Sequence, residues 1–346
     1  MTQRSDEFVS SAEPFRRELL AHCYRMLGST DEAEDAVQET YLRAWRSYDT
    51  FEGRSSLRSW LYRIATNACL TALDQRGRRA LPSGLGGPAE DPDVPPSPAE
   101  PGIAWLEPIP DALVTPESED PGELVAAREW LRLALIASLQ YLPPKQRAVL
   151  LLREVLGFPA AEVAGMLDTS TAAVKSTLQR ARARLDEVGP APERIVEPTE
   201  PRALELLGQY IAGFEKADTT ALEKALRADA AIEMIGTRTW FSGRVTCLRY
   251  LAQVIGSEGD WRMTPTGANG QPAAIGYYRG SAFGLGVLTV TPAGIARITV
   301  FDGGPSLAAK FGITTKQLPR FPARGYAGNR RGRPRRRRRP GRPRLP

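Results

Sequence analysis

The segment 171–182, Thr-Ala-Ala-Val-Lys-Ser-Thr-Leu-Gln-Arg-Ala-Arg, has the residue types a nucleic-acid groove accepts. At 100° per residue, Val174, Leu178, Ala181 and Leu185 share one buried face of a helix. The opposite face carries Ala172, Ser176, Gln179 and Ala183, with Thr171 at its start and Lys175 and Arg180 at its flanks. Small residues allow close approach, Ser and Gln address base edges, and Lys and Arg pair with phosphates. Just upstream, Ala160, Val163, Ala164 and Leu167 mark a short helix, followed by a three-residue turn and Ser170 as N-cap. The whole reads as a helix-turn-helix. A helical hairpin with a solvated polar face has the same pattern, and most such patterns are no more than that.

Three other groups have types suited to chemistry. Residues 57–72 read as a helix buried through Leu57, Trp60, Leu61, Ile64, Ala68 and Ala72, which exposes Ser59, Tyr62, Arg63, Thr66 and Asn67. Tyr48 and Phe51 precede it in a loop. Aromatics beside Arg suit unpaired bases, each stack being worth roughly 1–3 kcal/mol; taken singly, Tyr48 and Phe51 read slightly better as packing residues. Glu34, Asp35, Gln38, Glu39 and Arg43 form an acidic face opposite Ala33, Val37, Tyr41 and Ala44/Trp45, again a common solvated pattern. Near the C-terminus, Asp229, Glu233 and Asp302 offer carboxylates, Tyr277 and Tyr278 offer donors, and Trp240 offers a pocket wall. Carboxylates near strand ends are more often surface groups than catalysts. The single histidine, His22, and three distant cysteines (Cys23, Cys69, Cys247) imply no metal site, disulfide framework or cofactor.

These groups sit in a chain of 346 residues, longer than one core usually supports. Residues 13–80 and 123–188 read as helical units, the second with helices over 124–140, 144–156, 159–167 and 170–187. Between them, residues 81–122 hold 11 prolines, 9 acids and no Lys or Arg. That composition reads as an extended linker unable to bury enough surface to offset its ordering entropy. One island, Trp-Leu-Glu-Pro-Ile-Pro-Asp at 105–111, is expected to pack on its own domain or on a partner. After a second linker at 189–201, helices over 202–216, 219–227 and 243–256 join alternating strands at 232–235, 273–278, 284–291 and 295–301, an α+β domain at 202–318. The net charge of +6 comes from the last 17 residues, which hold ten Arg and no acid. Residues 319–346 read as a disordered Arg/Pro-rich tail, with a phosphate-binding arm as the alternative. No N-terminal stretch resembles a signal peptide and no apolar run is long enough to span a bilayer, so a cytoplasmic chain with reduced thiols is expected.

The parts occur in a familiar order. Residues 15–79 resemble domain two of bacterial sigma factors, through Leu-Leu-Ala-His-Cys-Tyr-Arg-Met-Leu-Gly-Ser (19–29), Asp-Ala-Val-Gln-Glu-Thr-Tyr-Leu-Arg-Ala-Trp (35–45) and Trp-Leu-Tyr-Arg-Ile-Ala-Thr-Asn-Ala-Cys (60–69). Residues 124–187 resemble domain four, through Leu-Pro-Pro-Lys-Gln-Arg-Ala-Val-Leu-Leu-Leu-Arg (142–153) and the helix-turn-helix. The chain thus resembles an extracytoplasmic-function (group IV) sigma factor. Residues 105–111 resemble a linker element of the groups with a C-terminal extension. Residues 202–315 are similar to a SnoaL-like, NTF2-like cone, through 261–273 and Lys310-Phe311-Gly312.

The resemblance implies roles. Asp35, Gln38, Glu39, Tyr41 and Leu42 would dock on core RNA polymerase. Tyr48, Phe51, Ser59, Tyr62, Arg63 and Asn67 would read and melt the −10 promoter element. Thr171, Ala172, Lys175, Ser176, Gln179 and Arg180 would read the −35 element. Thr177 stands where many relatives have Arg, so the promoter sequence does not carry over. The acidic linker would pass through a basic nucleic-acid channel. The cone would regulate in cis without a separate anti-sigma factor, with a small apolar ligand beside Trp240, Tyr277 and Tyr278. Two other readings stand beside this one: a helix-turn-helix regulator that binds operators alone, and an NTF2-like isomerase or cyclase fused to a DNA-binding module.

Overall fold

The computed structural model describes residues 2–51, 53, 55–74, 77–189, 193–302, 307 and 309–312. The Arg-rich segment at 319–346, and with it the expectation of a disordered tail, lies outside them.

The first unit packs α1 (Thr2–Ala12), α2 (Arg16–Leu27), α3 (Thr30–Ser47) and α4 (Leu57–Leu73). α1 was absent from the sequence reading. It is held by Phe8, whose ring meets Tyr41 and Tyr48 edge-on at 6.3 and 5.2 Å. α2 stops at Gly28, which takes the left-handed conformation (φ 69°). Ser29 then caps α3 by accepting from Glu32 N, and Ser56 caps α4 by accepting from Ser59 N.

The second unit comprises α5 (Asp111–Val114), α6 (Pro121–Glu129), α7 (Leu133–Leu139), α8 (Pro144–Leu150), a widened turn at Leu151–Val155, α9 (Ala160–Met166) and α10 (Thr171–Val188). The single helix expected over 124–140 is therefore two. Leu131 is buried at the break, and its carbonyl accepts from Asn269 Nδ2 at 2.9 Å, a tertiary bond that replaces a helical one. One apolar cluster runs through both helical units, from Leu19 and Leu61 to Leu150 and Val174.

The last unit carries α11 (Pro201–Glu215), α12 (Thr219–Ala225) and α13 (Arg244–Val254) against a sheet of β1 (Leu226–Met234), β2 (Trp240–Ser242), β3 (Trp261–Ala268), β4 (Gln271–Tyr278), β5 (Ser281–Thr291) and β6 (Gly294–Asp302). The order is β2-β1-β6-β5-β4-β3, with only β1 and β6 parallel. β2 and β3 were missed in the sequence, the first for its brevity and the second because Pro265 and Gly267 interrupt its alternation. Successive side chains leave opposite faces. Ala274, Leu288 and Ile298 join the helix-covered core, whereas Ala273, Ile275, Val287 and Phe301 join a cluster that includes Leu133 of α7. The sheet is thus a partition with its own helices on one side and the second helical unit on the other.

Residues 81–122 depart furthest from expectation. Apart from a turn at 82–84, α5 and the start of α6 they form no regular element, yet Leu81, Leu106, Ile109 and Val114 are buried. The apolar surface they cover belongs to neighbours, which composition alone does not reveal. Ser83 N donates to Glu233 Oε2 (3.1 Å), Ala89 N to Trp240 O (2.8 Å), and Trp240 Nε1 to Gly86 O (2.8 Å). The 105–111 island closes on the α2–α3 corner. Glu107 N donates to Gly28 O (3.0 Å), Ser29 Oγ to Glu107 Oε2 (2.7 Å) and Thr30 Oγ1 to Pro108 O (2.8 Å). A Cβ on Gly28 would lie 2.8 Å from Leu106 Cδ2, so this approach needs glycine.

The β3–β4 turn completes the junction. Asn269 (φ 57°) and Gly270 (φ 64°) form a two-residue hairpin turn closed by the Ala268–Gln271 pair, the conformation that Asn-Gly favours. Asn269 is fully buried. Its Nδ2 donates to Tyr24 Oη (2.7 Å) and to Leu131 O, while its Oδ1 accepts from Ile109 N (3.0 Å). Gly270 N donates to Asp111 Oδ1 at 2.7 Å. One hairpin tip therefore binds both helical units and the segment between them.

Candidate functional site

The α9–α10 corner has the geometry read from sequence. Ser170 accepts from Ala173 N at 3.1 Å, and Val174, Leu178 and Ala181 are buried. Thr171, Ala172, Lys175, Ser176, Gln179 and Arg180 are all exposed, on one outward surface. Thr177 accepts from Arg180 Nη2 at 3.1 Å, so the substituted position orients the neighbouring cation.

The α4 surface does not match its expectation. Arg63 and Asn67 are exposed, but Ser59, Tyr62 and Thr66 are buried. Ser59 Oγ donates to Glu162 Oε1 of α9. The Tyr62 ring packs edge-on against Phe158 with centroids 5.3 Å apart. Arg58 lies over both rings, at 5.1 and 4.9 Å, while Glu18 holds it with bonds of 3.0–3.1 Å. Thr66 bonds His22 Nε2 at 2.9 Å, and burial first, then the nearby Arg25, lowers the His22 pKa to about 3. Part of the face is covered from within the domain, since Thr66 and Tyr62 both meet His22 of α2, and part by the helix-turn-helix unit; periodicity along one helix shows neither cover. Phe51 lies against Trp60 at 4.9 Å and Tyr48 against Phe8, so both are half-buried packing residues in this state.

On α3, Asp35, Gln38 and Leu42 are exposed in one stripe. Glu39 is half-buried and pairs with Arg43 at 2.6 Å. Tyr41 is half-buried and donates to Ala12 O at 3.1 Å. Trp45 was assigned to the buried face together with Ala44; Ala44 is buried, but Trp45 is 43% exposed and extends the stripe beside Leu42, 50% exposed. A Trp ten residues after Asp35 shares its helical face, a signal present in the spacing and overridden by residue type.

The expected pocket residues are elsewhere. Tyr277 is buried in the cluster facing α7, and Trp240 clasps the 81–122 segment. Glu233 is buried on that same side, paired with Arg297 at 3.0 Å. Asp229 is exposed and pairs with Arg227, whose hydrogen bond lowers its pKa. Asp302 is exposed at the end of β6. An apolar cleft of this domain lies across the sheet, its empty space about 570 Å³ with open solvent counted, and Tyr278 is not among its lining residues. Its walls are Tyr210, Phe214, Tyr250, Trp261, Met263 and other apolar or glycine residues, with no carboxylate, histidine, lysine or arginine among the described lining residues. No described cluster of His, Cys, Asp and Glu could hold a metal ion.

Residues 12–79 match the Sigma-70 region 2 family and residues 132–185 match Sigma-70, region 4. The chain is also 47% identical to the ECF RNA polymerase sigma factor SigG of Mycobacterium tuberculosis, over 90% of this chain and 85% of that one. The chain belongs to the ECF RNA polymerase sigma factors. A further member, SigJ of Mycobacterium tuberculosis, is 31% identical over 64% of this chain and 62% of its own. The solved SigJ structure shares the fold across 88% of this chain and 100% of that chain, with 21% identity and a TM-score of 0.56. The fold in common therefore includes the C-terminal α+β domain. In this sigma factor the region 2 and region 4 units meet at Tyr62 and Phe158, and Tyr24, Ile109, Asp111, Leu131 and Leu133 are among the residues that tie them to Asn269, Gly270 and Gln271 of the C-terminal domain. Sequence reasoning missed Asn269, because β3 was not read and the Asn-Gly pair, otherwise a hairpin signal, had a strand on one side only.

No helix among the described residues is long and apolar enough to cross a membrane.

Proposed function

We propose that this sigma factor directs core RNA polymerase to promoters through the three surfaces above, and that the state described is a closed form held by the C-terminal domain. The α3 stripe of Asp35, Gln38, Glu39, Leu42 and Trp45 docks on the polymerase. The α10 face of Lys175, Ser176, Gln179 and Arg180 reads the −35 element. The 48–67 stretch reads and opens the −10 element once it is uncovered.

The observation that carries this reading is the burial of Ser59 and Tyr62 against Glu162 and Phe158. Both partners come from the unit that carries the −35 reader, so the two DNA surfaces cannot engage a promoter together in this arrangement. The α3 stripe and the α10 face stay open to solvent. Docking thus precedes opening in this reading, and strand separation is the step under control. The division used in this reading is 13–80 and 123–188 as the working units, 81–122 as the strap and 202–318 as the clamp.

The C-terminal domain acts as a regulator and not as an enzyme. Support comes from its cavity, whose described lining holds no carboxylate or histidine to serve as a base, and from Glu233, which is turned to the strap and ion-paired. A chain with three buried free thiols that works on polymerase belongs in the cytoplasm. Deleting 198–346 and measuring run-off transcription with core polymerase tests the clamp. Higher initiation from the truncated chain is the expected result, and unchanged promoter binding and initiation would remove cis-regulation.

A further inference from the structure

The cavity in the C-terminal domain has one polar feature that its own fold leaves unused. Tyr210 is buried (3% exposed) and lines the cavity, its hydroxyl lying against Gly286. Burial alone raises its pKa, with no contribution from a hydrogen bond or a neighbouring charge. Among the described residues that hydroxyl has no hydrogen-bond partner. The other polar groups of the wall are occupied: Tyr250 Oη meets Met234 Sδ at 2.8 Å, and Trp261 Nε1 donates to Val254 O. Phe283, 47% exposed, stands at the rim.

We propose that this cavity binds a neutral, flat, largely apolar small molecule carrying one hydrogen-bonding group, which Tyr210 anchors. Aromatic walls favour a planar ligand by stacking. A charged ligand is excluded, because it would shed its hydration shell with no counter-charge in the lining. The same two strands form the cavity wall and the strap contact. Ile232 and Met234 line the cavity, while Glu233 between them accepts from Ser83 N. Ile298 and Val300 line it, while Thr299 between them donates to Glu233. A ligand that shifts either strand therefore moves the strap's acceptor, and ligand affinity and strap docking are coupled. The proposal deepens the cis-regulation reading and depends on it for its biological meaning, but its test reads binding alone.

Titrate the full chain with 2-naphthol, following fluorescence, and with 2-naphthoate, its similarly shaped anion. One saturable site for 2-naphthol and at least tenfold weaker binding of 2-naphthoate are expected. Tyr210→Phe should weaken 2-naphthol about three- to tenfold, as loss of one hydrogen bond does, and Met234→Trp should block it while the thermal transition is kept. No saturable binding, equal binding of both probes, or indifference to both substitutions would overturn the site. By reciprocity, loosening the strap with Asn269→Gly must change 2-naphthol affinity if the two are coupled. A shift of at least threefold is expected, and identical affinity would overturn the coupling. Transcription does not enter this test, so failure of the regulatory reading and failure of the ligand site give different results.

Discussion

Tyr24 and Asn269, 245 positions apart, share a 2.7 Å hydrogen bond in the buried centre of the molecule. Tyr24 Oη accepts from the Asn269 amide and donates to Glu107 O, also at 2.7 Å. Two side chains thereby join the first helical unit, the strap and the C-terminal domain. Both side chains are buried with their remaining bonds also going to groups of the junction, so separating the units would leave several polar groups unpaired, at about 1–3 kcal/mol each.

Asn269→Gly removes the amide and keeps the backbone free to hold φ 57°. It leaves the Tyr24 Oη lone pair, Ile109 N and Leu131 O without their partner. The strap should detach, with faster proteolysis within 81–122 and run-off initiation raised at least threefold over the parent chain. Unchanged proteolysis would show that the hairpin tip does not hold the strap.

Asp111 gives the junction a pH dependence. Burial, partly opposed by the Gly270 N–H and by Arg128, raises its pKa from 3.8 to about 6. A carboxyl raised in the docked state binds its proton more tightly there than when released. Its stabilisation of the docked state is therefore full below about pH 4 and is lost as pH rises through about 6. Strap docking, read as protection from proteolysis, should weaken between about pH 4 and 6 and stay level above that. Asp111→Asn should flatten that profile, and an identical slope in the variant would assign the dependence to another group.

The two kinds of contact on α10 separate by salt and by sequence. Lys175→Ala should weaken DNA binding similarly on all sequences and lower the salt slope by about 1. Gln179→Ala should cost about 1–3 kcal/mol on the preferred −35 sequence and little elsewhere. Equal losses on specific and unrelated duplexes would remove Gln179 from base reading.

Leu42 and Trp45 are exposed apolar residues on a helix whose core face is complete without them. Replacing both with Ala should leave stability within about 0.5 kcal/mol per site. Affinity for core polymerase should fall at least tenfold in a fluorescence-anisotropy titration. Full affinity would move the docking surface elsewhere on the first unit.

Local patterns carried the helical units a long way. Stripes such as Val174-Leu178-Ala181 and a cap such as Ser170 are decided within a turn or two of chain, so they are legible without a partner. The α3 and α10 surfaces were legible for the same reason. Tyr62 and Ser59 were misread because exposure depends on what covers a face, and their cover, Phe158 and Glu162, comes from a unit about 100 residues away. The pocket was misread because alternation in a strand tells which residues share a side, but not which side is hollow. Glu233 and Tyr277 were placed toward the cavity, whereas their neighbours Met234 and Gly276 line it.

By itself, the sequence determined the helical units, their order, the groove-compatible face of α10 and the motifs of the family. These depend on periodicity and on chemistry within a few residues. Only the tertiary structure decided that the acidic, proline-rich segment is an ordered strap, that Asn269 is the node that fastens it, and that part of the α4 face is covered. Those outcomes rest on surfaces supplied by distant segments: a chain poor in its own apolar side chains becomes ordered where others provide the burial and the hydrogen-bond partners it lacks.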